Sequence, residues 1–144
     1  MNSSNNMKIS ARIQSSRGQN QISLATNAQV HSIEIEPKAT GFGSSANGGE
    51  LLFLALATCY CNDVYREAAK RVVRVERVEI EVAGEFGAEG EPARNITYGA
   101  KVWAHAPGET IRELMSHTDR VAEVQNTLRT GASVTLSRIE AVSV

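Results

Sequence analysis

Apolar and polar residues alternate over Lys8 to Gln14 (KISARIQ), over Gln21 to Ala25 and over Val30 to Glu36, with turn-forming clusters at Ser15 to Asn20 and Thr26 to Gln29 between them. A period of two puts one set of side chains on a buried face and the other in water, which predicts a meander of three antiparallel strands. Pro37 to Asn47 (PKATGFGSSAN) has no period and is rich in Gly, Ser and Ala, so it reads as a loop leading from sheet to helix.

The helix announces its start. Asn47 is followed three residues later by Glu50, a capping pair, and from Leu51 to Cys61 (LLFLALATCYC) the apolar content is almost unbroken. A helix apolar on every side is expected to be enclosed by protein. From Asn62 onward Asp63, Arg66, Glu67, Lys70 and Arg71 form a charged end that is expected to reach solvent.

Alternation returns over Val72 to Phe86 and, more loosely, over Asn95 to Ala104, with GAEGEPAR between them as a hairpin loop. Ile111, Leu114, Met115, Val121, Val124 and Leu128 then recur at helical spacing, predicting one amphipathic helix from about Thr110 to Thr130 that Gly131 stops. Ser133 to Val144 (SVTLSRIEAVSV) alternates once more and reads as a closing strand. Strands and helices in this order, without a βαβ repeat, make an α+β domain. Residues 8–144 form a single domain in this reading, and residues 1–7 a disordered polar tail.

Composition narrows the partners. The 144 residues suit one domain, and the formal charge of -1 supplies no field to attract nucleic acid or an anionic membrane, so neither is an expected partner. The start MNSSNNMK has no apolar core, and the stretch Leu51 to Ala57 is too short to span a bilayer. Cys59 and Cys61 are two residues apart, where a bridge would close almost no loop. Free thiols and no targeting segment point to a cytoplasmic protein.

Most chemistries lack their motifs. The glycines form no phosphate-cradling loop, so no nucleotide cofactor is expected, and His31, His105 and His117 are dispersed without the paired spacing of a metal site. No serine sits in a nucleophile elbow. The thiols remain. A free cysteine in an apolar helix is most often a small packed hydrophobe. Positions two apart on a helix point in nearly opposite directions, so at most one of Cys59 and Cys61 faces any given pocket.

The segment Asn47-Gly48-Gly49-Glu50-Leu51-Leu52, followed by Ala55-Leu56-Ala57-Thr58-Cys59, resembles the N-P-E-[EQ]-L and A-A-C signature of the OsmC/Ohr family at the same distance. The element order resembles that family from Lys8 to the C-terminus. The resemblance implies an intertwined homodimer burying the central helices, and a thiol-dependent peroxidase acting on organic hydroperoxides. Cys59 would be the peroxidatic residue, with a pKa below that of a free thiol. Arg17, in Ser15-Ser16-Arg17-Gly18, matches the family's activating arginine, and Glu50 would orient it.

Two positions depart from the pattern. The family's glutamate position is Gly49 here, with Glu50 next to it, and the resolving cysteine is replaced by Ala122 in Arg120-Val121-Ala122-Glu123-Val124. A sulfenic acid on Cys59 would then need an external thiol reductant. The departures also motivate a second expectation, a non-catalytic OsmC-fold protein that binds a small apolar ligand at the dimer interface, beside the Gly41 to Gly49 loop.

Overall fold

The computed structural model describes residues 6–144, so most of the expected tail lies outside the described residues. Two compact units divide the chain, Met1–Leu51 and Leu52–Val144. Among the described residues, antiparallel strands and three helices give the mixed α+β architecture expected from the sequence.

In the first unit β1 (Ile9–Ser16), β2 (Gln19–Thr26) and β3 (Gln29–Ile33) form an antiparallel sheet in sequence order. Ile13 pairs with Ile22 and Ile22 with Ile33, and Ala11 lies opposite Leu24, so the predicted period of two gathers the aliphatic side chains on one face. Gly18 closes the first turn at φ +71°. At the second, Asn27 takes φ +53°, and its side-chain oxygen accepts from the Lys8 N–H at 3.1 Å. The loop beyond β3 is tied back by Asn20, whose amide donates to the Ile35 carbonyl and to Ser44 Oγ. No described residue of this unit is fully buried, and Ile9, Ile13 and Ile33 of the sheet are exposed.

The expected capping pair is formed: Glu50 N donates to Asn47 Oδ1 at 2.8 Å, and Asn47 N to Glu50 Oε1 at 2.9 Å. It opens α1 (Gly48–Lys70), whose buried residues Leu56, Tyr60, Asp63, Val64, Glu67 and Ala68 recur at helical spacing. Enclosure on every side is not found within the chain, because Leu54 remains 58 % exposed. The charged end also departs from expectation. Asp63 is only 6 % exposed and Glu67 3 %, since both lie on the same stripe as Tyr60 and Val64 and find cations there.

In the second unit β4 (Arg74–Phe86) and β5 (Ala93–His105) make a two-stranded antiparallel sheet, with Val78 opposite Val102 and Ile80 opposite Ala100. Tyr60, Val64, Ala68 and Leu114 form the core, packed against Val75, Val78, Ile80, Tyr98 and Val102. The ladder shifts register between Ala83 and Glu85, and Gly84 at that point leaves room for the Phe53 ring of α1.

The single amphipathic helix expected from Thr110 to Thr130 is in fact two, α2 (Gly108–Val121) and α3 (Glu123–Thr130). Ala122 interrupts them with an extended backbone at φ -72°, ψ 110°. Competing hydrogen bonds explain the break. The Asn126 amide captures the Arg120 carbonyl, and the Gln125 amide reaches across to the Leu56 carbonyl, which fixes α3 on α1.

Gly131, at φ +68°, ends α3. The strand expected over Ser133 to Val144 is not formed: a strand needs a ladder partner, and this segment has none among the described residues. Its Val134, Leu136, Ile139 and Val142 are exposed. No helix among the described residues is long and apolar enough to cross a membrane.

Candidate functional site

Cys59 lies on α1 one turn before Asp63 and two turns before Arg66, so the three share a helix face. The break at Ala122 turns α3 so that its first residue, Glu123, reaches the same spot. The Cys59 thiol lies 3.6 Å from Asp63 Oδ2 and 3.8 Å from Glu123 Oε1. Arg66 closes the group from above, its Nη1 standing 3.1 Å from Asp63 Oδ1 and 2.8 Å from Glu123 Oε2. Arg66 Nε also donates to Glu67, which Lys70 and His117 hold from other sides.

The electrostatics differ from those expected of a thiolate. Burial pushes the Cys59 thiol above its ordinary pKa, and the negative charges of Asp63 and Glu123 add to the rise against the pull of the Val124 backbone N–H. Asp63 is pushed up to about 6, by burial first and then by its hydrogen bond with Glu123. Burial opposes ionisation of Glu123 as well, yet hydrogen bonds from Asp63, from its own backbone N–H and from Arg66 bring it below the usual range. The Cys59 pKa is thus raised rather than lowered, by burial first and then by the acids beside it.

Cys59, Asp63 and Glu123 present three donor atoms within 4.8 Å of one another, a set able to ligate a divalent cation. One oxygen of each acid is held by Arg66, which also pairs with Glu67.

Arg17 and Glu50 belong to the first unit. The Arg17 guanidinium stands over the Phe42 ring at 5.8 Å, a cation–π contact, and Glu50 spends one oxygen on the helix cap. Cys61 is half-buried and stands outside the acidic cluster. Asp63, Arg66 and Glu123 were missed as site residues. For the first two the signal was present, since positions 59, 63 and 66 follow helical spacing. For Glu123 there is none, because the apolar spacing alone predicts one continuous helix there.

A second feature flanks the same helix. A cavity of about 280 Å³ is lined by Leu56, Ala93, Ile96, Tyr98, Gln125 and Leu128, with Arg94, Asn95 and Arg129 at its polar side. Gln125 is buried, its Nε2 bonded to the Leu56 carbonyl at 3.0 Å and its Oε1 without a hydrogen-bond partner among the described residues.

Residues 41–137, more than half the chain, match the family model described as OsmC-like protein. The chain belongs to the OsmC-like family. Among solved structures it is similar to an OsmC-like protein from Mycoplasma pneumoniae, with a TM-score of 0.59 at 17% identity, covering 89% of this chain and 90% of the other. An OsmC-like protein of unknown function from Vibrio cholerae superposes with a TM-score of 0.57 at 12% identity, over 83% of this chain and 92% of that one. An OsmC-like hydroperoxide resistance protein from Jannaschia sp. gives 0.53 at 14% identity, over 92% and 91%. At such identities these likenesses carry the fold alone. No curated protein sequence matches the chain.

Proposed function

We propose that this OsmC-like protein reduces organic hydroperoxides through Cys59. The observation that carries the reading is the free Cys59 thiol held between two carboxyl groups that can exchange a proton with it. Sulfur attacks the outer peroxide oxygen, the O–O bond breaks, and the products are a sulfenic acid and an alcohol. With Ala122 where the family carries a resolving cysteine, an external thiol condenses with the sulfenic acid and releases water. A second thiol then frees Cys59 as a disulfide of the reductant leaves.

Mass spectrometry of the Cys61→Ser protein after brief exposure to cumene hydroperoxide tests this reading. One added oxygen on Cys59 at low peroxide excess is expected, and an unmodified Cys59 sinks the proposal. The same assay on Arg17→Lys and Glu50→Gln measures what these two residues contribute, the resemblance giving them the roles of activator and orienting partner.

The working form in this reading is a homodimer. Its support is Ile9, Ile13 and Ile33 of the sheet and the aliphatic residues of the closing segment, all left exposed in a single chain.

A non-catalytic role is favoured by the cavity beside Leu56, which would take a small apolar molecule carrying one hydrogen-bond donor for Gln125 Oε1. Such a protein would bind the alcohol or ketone analogue of a hydroperoxide as well as the hydroperoxide itself, and would leave Cys59 reduced.

A further inference from the structure

Resting on the binding reading of the cavity beside Leu56, we propose that its ligand is a single-ring carboxylic acid with a hydroxyl group at the end remote from the carboxylate. The site lies within the second unit and is lined without Cys59, so it stands apart from any chemistry at the thiol.

A β-bulge builds the cavity. Between the pairs Ala83–Thr97 and Glu85–Arg94, β5 carries two residues, Asn95 and Ile96, opposite the single Gly84. Asn95 takes up the extra length with a left-handed backbone at φ +54°, and its amide donates to Glu85 Oε1 at 2.9 Å. Both bulge residues, with Arg94 before them, line the cavity. Its volume of about 280 Å³ is at the lower end of small-molecule sites, which begin at about 300 Å³, so one ring with a short side chain is the size that fits.

The polar groups differ in what they ask of a ligand. Gln125 is only 3 % exposed, and with its amide nitrogen committed to the Leu56 carbonyl its oxygen is an acceptor that lacks a donor. A hydroxyl group supplies that donor. The polar side carries positive charge, since Arg94 and Arg129 line the cavity and no carboxylate does. Arg129 is fixed by hydrogen bonds to the Asp119 carbonyl, Asp119 Oδ1 and Asn126 Oδ1, which use three of the five guanidinium donors and leave two. Arg94 is paired only with Glu91, at 3.6 Å on the surface, a weak bond that a bound carboxylate can replace. The two guanidinium groups disfavour an ammonium ligand by the same charge.

Calorimetric titration of the full-length protein compares three probes: para-hydroxyphenylacetate, para-hydroxyphenylethanol, which lacks the charge, and phenylacetate, which lacks the hydroxyl. The first should bind about tenfold more tightly than either of the others. Arg94→Gln should remove the preference for the acid over the alcohol, and Leu128→Trp, which fills the cavity from its exposed side, should abolish binding of all three. Equal affinity for the acid and the alcohol overturns the anionic assignment and leaves an apolar cavity site standing. Equal affinity for the two acids overturns the role of Gln125. Binding that survives Leu128→Trp, in a variant whose far-ultraviolet dichroism is unchanged, places the ligand elsewhere and overturns the proposal. Failure of all three probes to bind at millimolar concentration removes the proposal together with the binding reading, and leaves the peroxidase reading untouched.

Discussion

Cys59 and Asp63 are one helical turn apart and in contact, thiol to carboxyl, across 3.6 Å. Burial and the neighbouring acids favour the protonated thiol, so alkylation of Cys59 in the Cys61→Ser protein is expected to titrate with a midpoint above that of a free thiol in a peptide. Glu123→Gln should move the midpoint down, since it removes one of the charges responsible. A midpoint below the free-thiol value would mean that a cation governs this sulfur.

Glu67 gives stability a pH dependence of the opposite origin. Hydrogen bonds from Lys70 and Arg66, with His117 behind them, hold its carboxyl down at about 2. A depressed carboxyl contributes stability that is fully present above its unfolded pKa and is lost as pH falls through the folded one. Thermal melts should therefore show the melting temperature declining between about pH 4.5 and pH 2, with Glu67→Gln lowered by several degrees at pH 7 and less sensitive to acid over that interval.

Gly84 is required by a close approach. A Cβ there would stand 2.7 Å from Phe53 Cζ and 3.1 Å from Ile96 Cγ1, so Gly84→Ala must displace a ring that also stacks on Phe86. Overpacking of this kind costs about 1–3 kcal/mol. Urea denaturation should show that loss, and the Gly84→Ala, Phe53→Leu double variant should recover part of it if the clash is with the ring.

Self-association is expected to be strong. Sedimentation equilibrium should give twice the mass of the chain at micromolar concentration, and an Ile13→Lys substitution at an exposed position of the sheet should shift the distribution toward monomer. Monomeric behaviour of the unaltered protein at that concentration would remove the proposed dimer.

Much of the fold could be read from the sequence because local and tertiary demands agree there. The period of two that places Ile9, Ile13 and Ile22 on one sheet face, and the Asn47–Glu50 cap, need no knowledge of distant residues. The site was legible only at Cys59. Asp63 and Glu67 look like members of a solvated helix end until the cations that satisfy them are placed. The break at Ala122 carries neither Gly nor Pro, and one of the two hydrogen bonds that go with it, that of Gln125 on Leu56, joins residues 69 apart in sequence. Because that break positions Glu123, half of the acidic pair was invisible with it. The closing strand failed for a different reason: its alternation is genuine, but no partner for it exists among the described residues of one chain.

That closing segment has a practical consequence. Beyond Gly131 the chain lays out Val134, Leu136, Ile139 and Val142 in water, with Val134 97 % exposed. If another copy shelters them, dilution rather than heating is the first stress they register, and assays run at nanomolar protein would sample a stickier, shorter-lived species than the one purified.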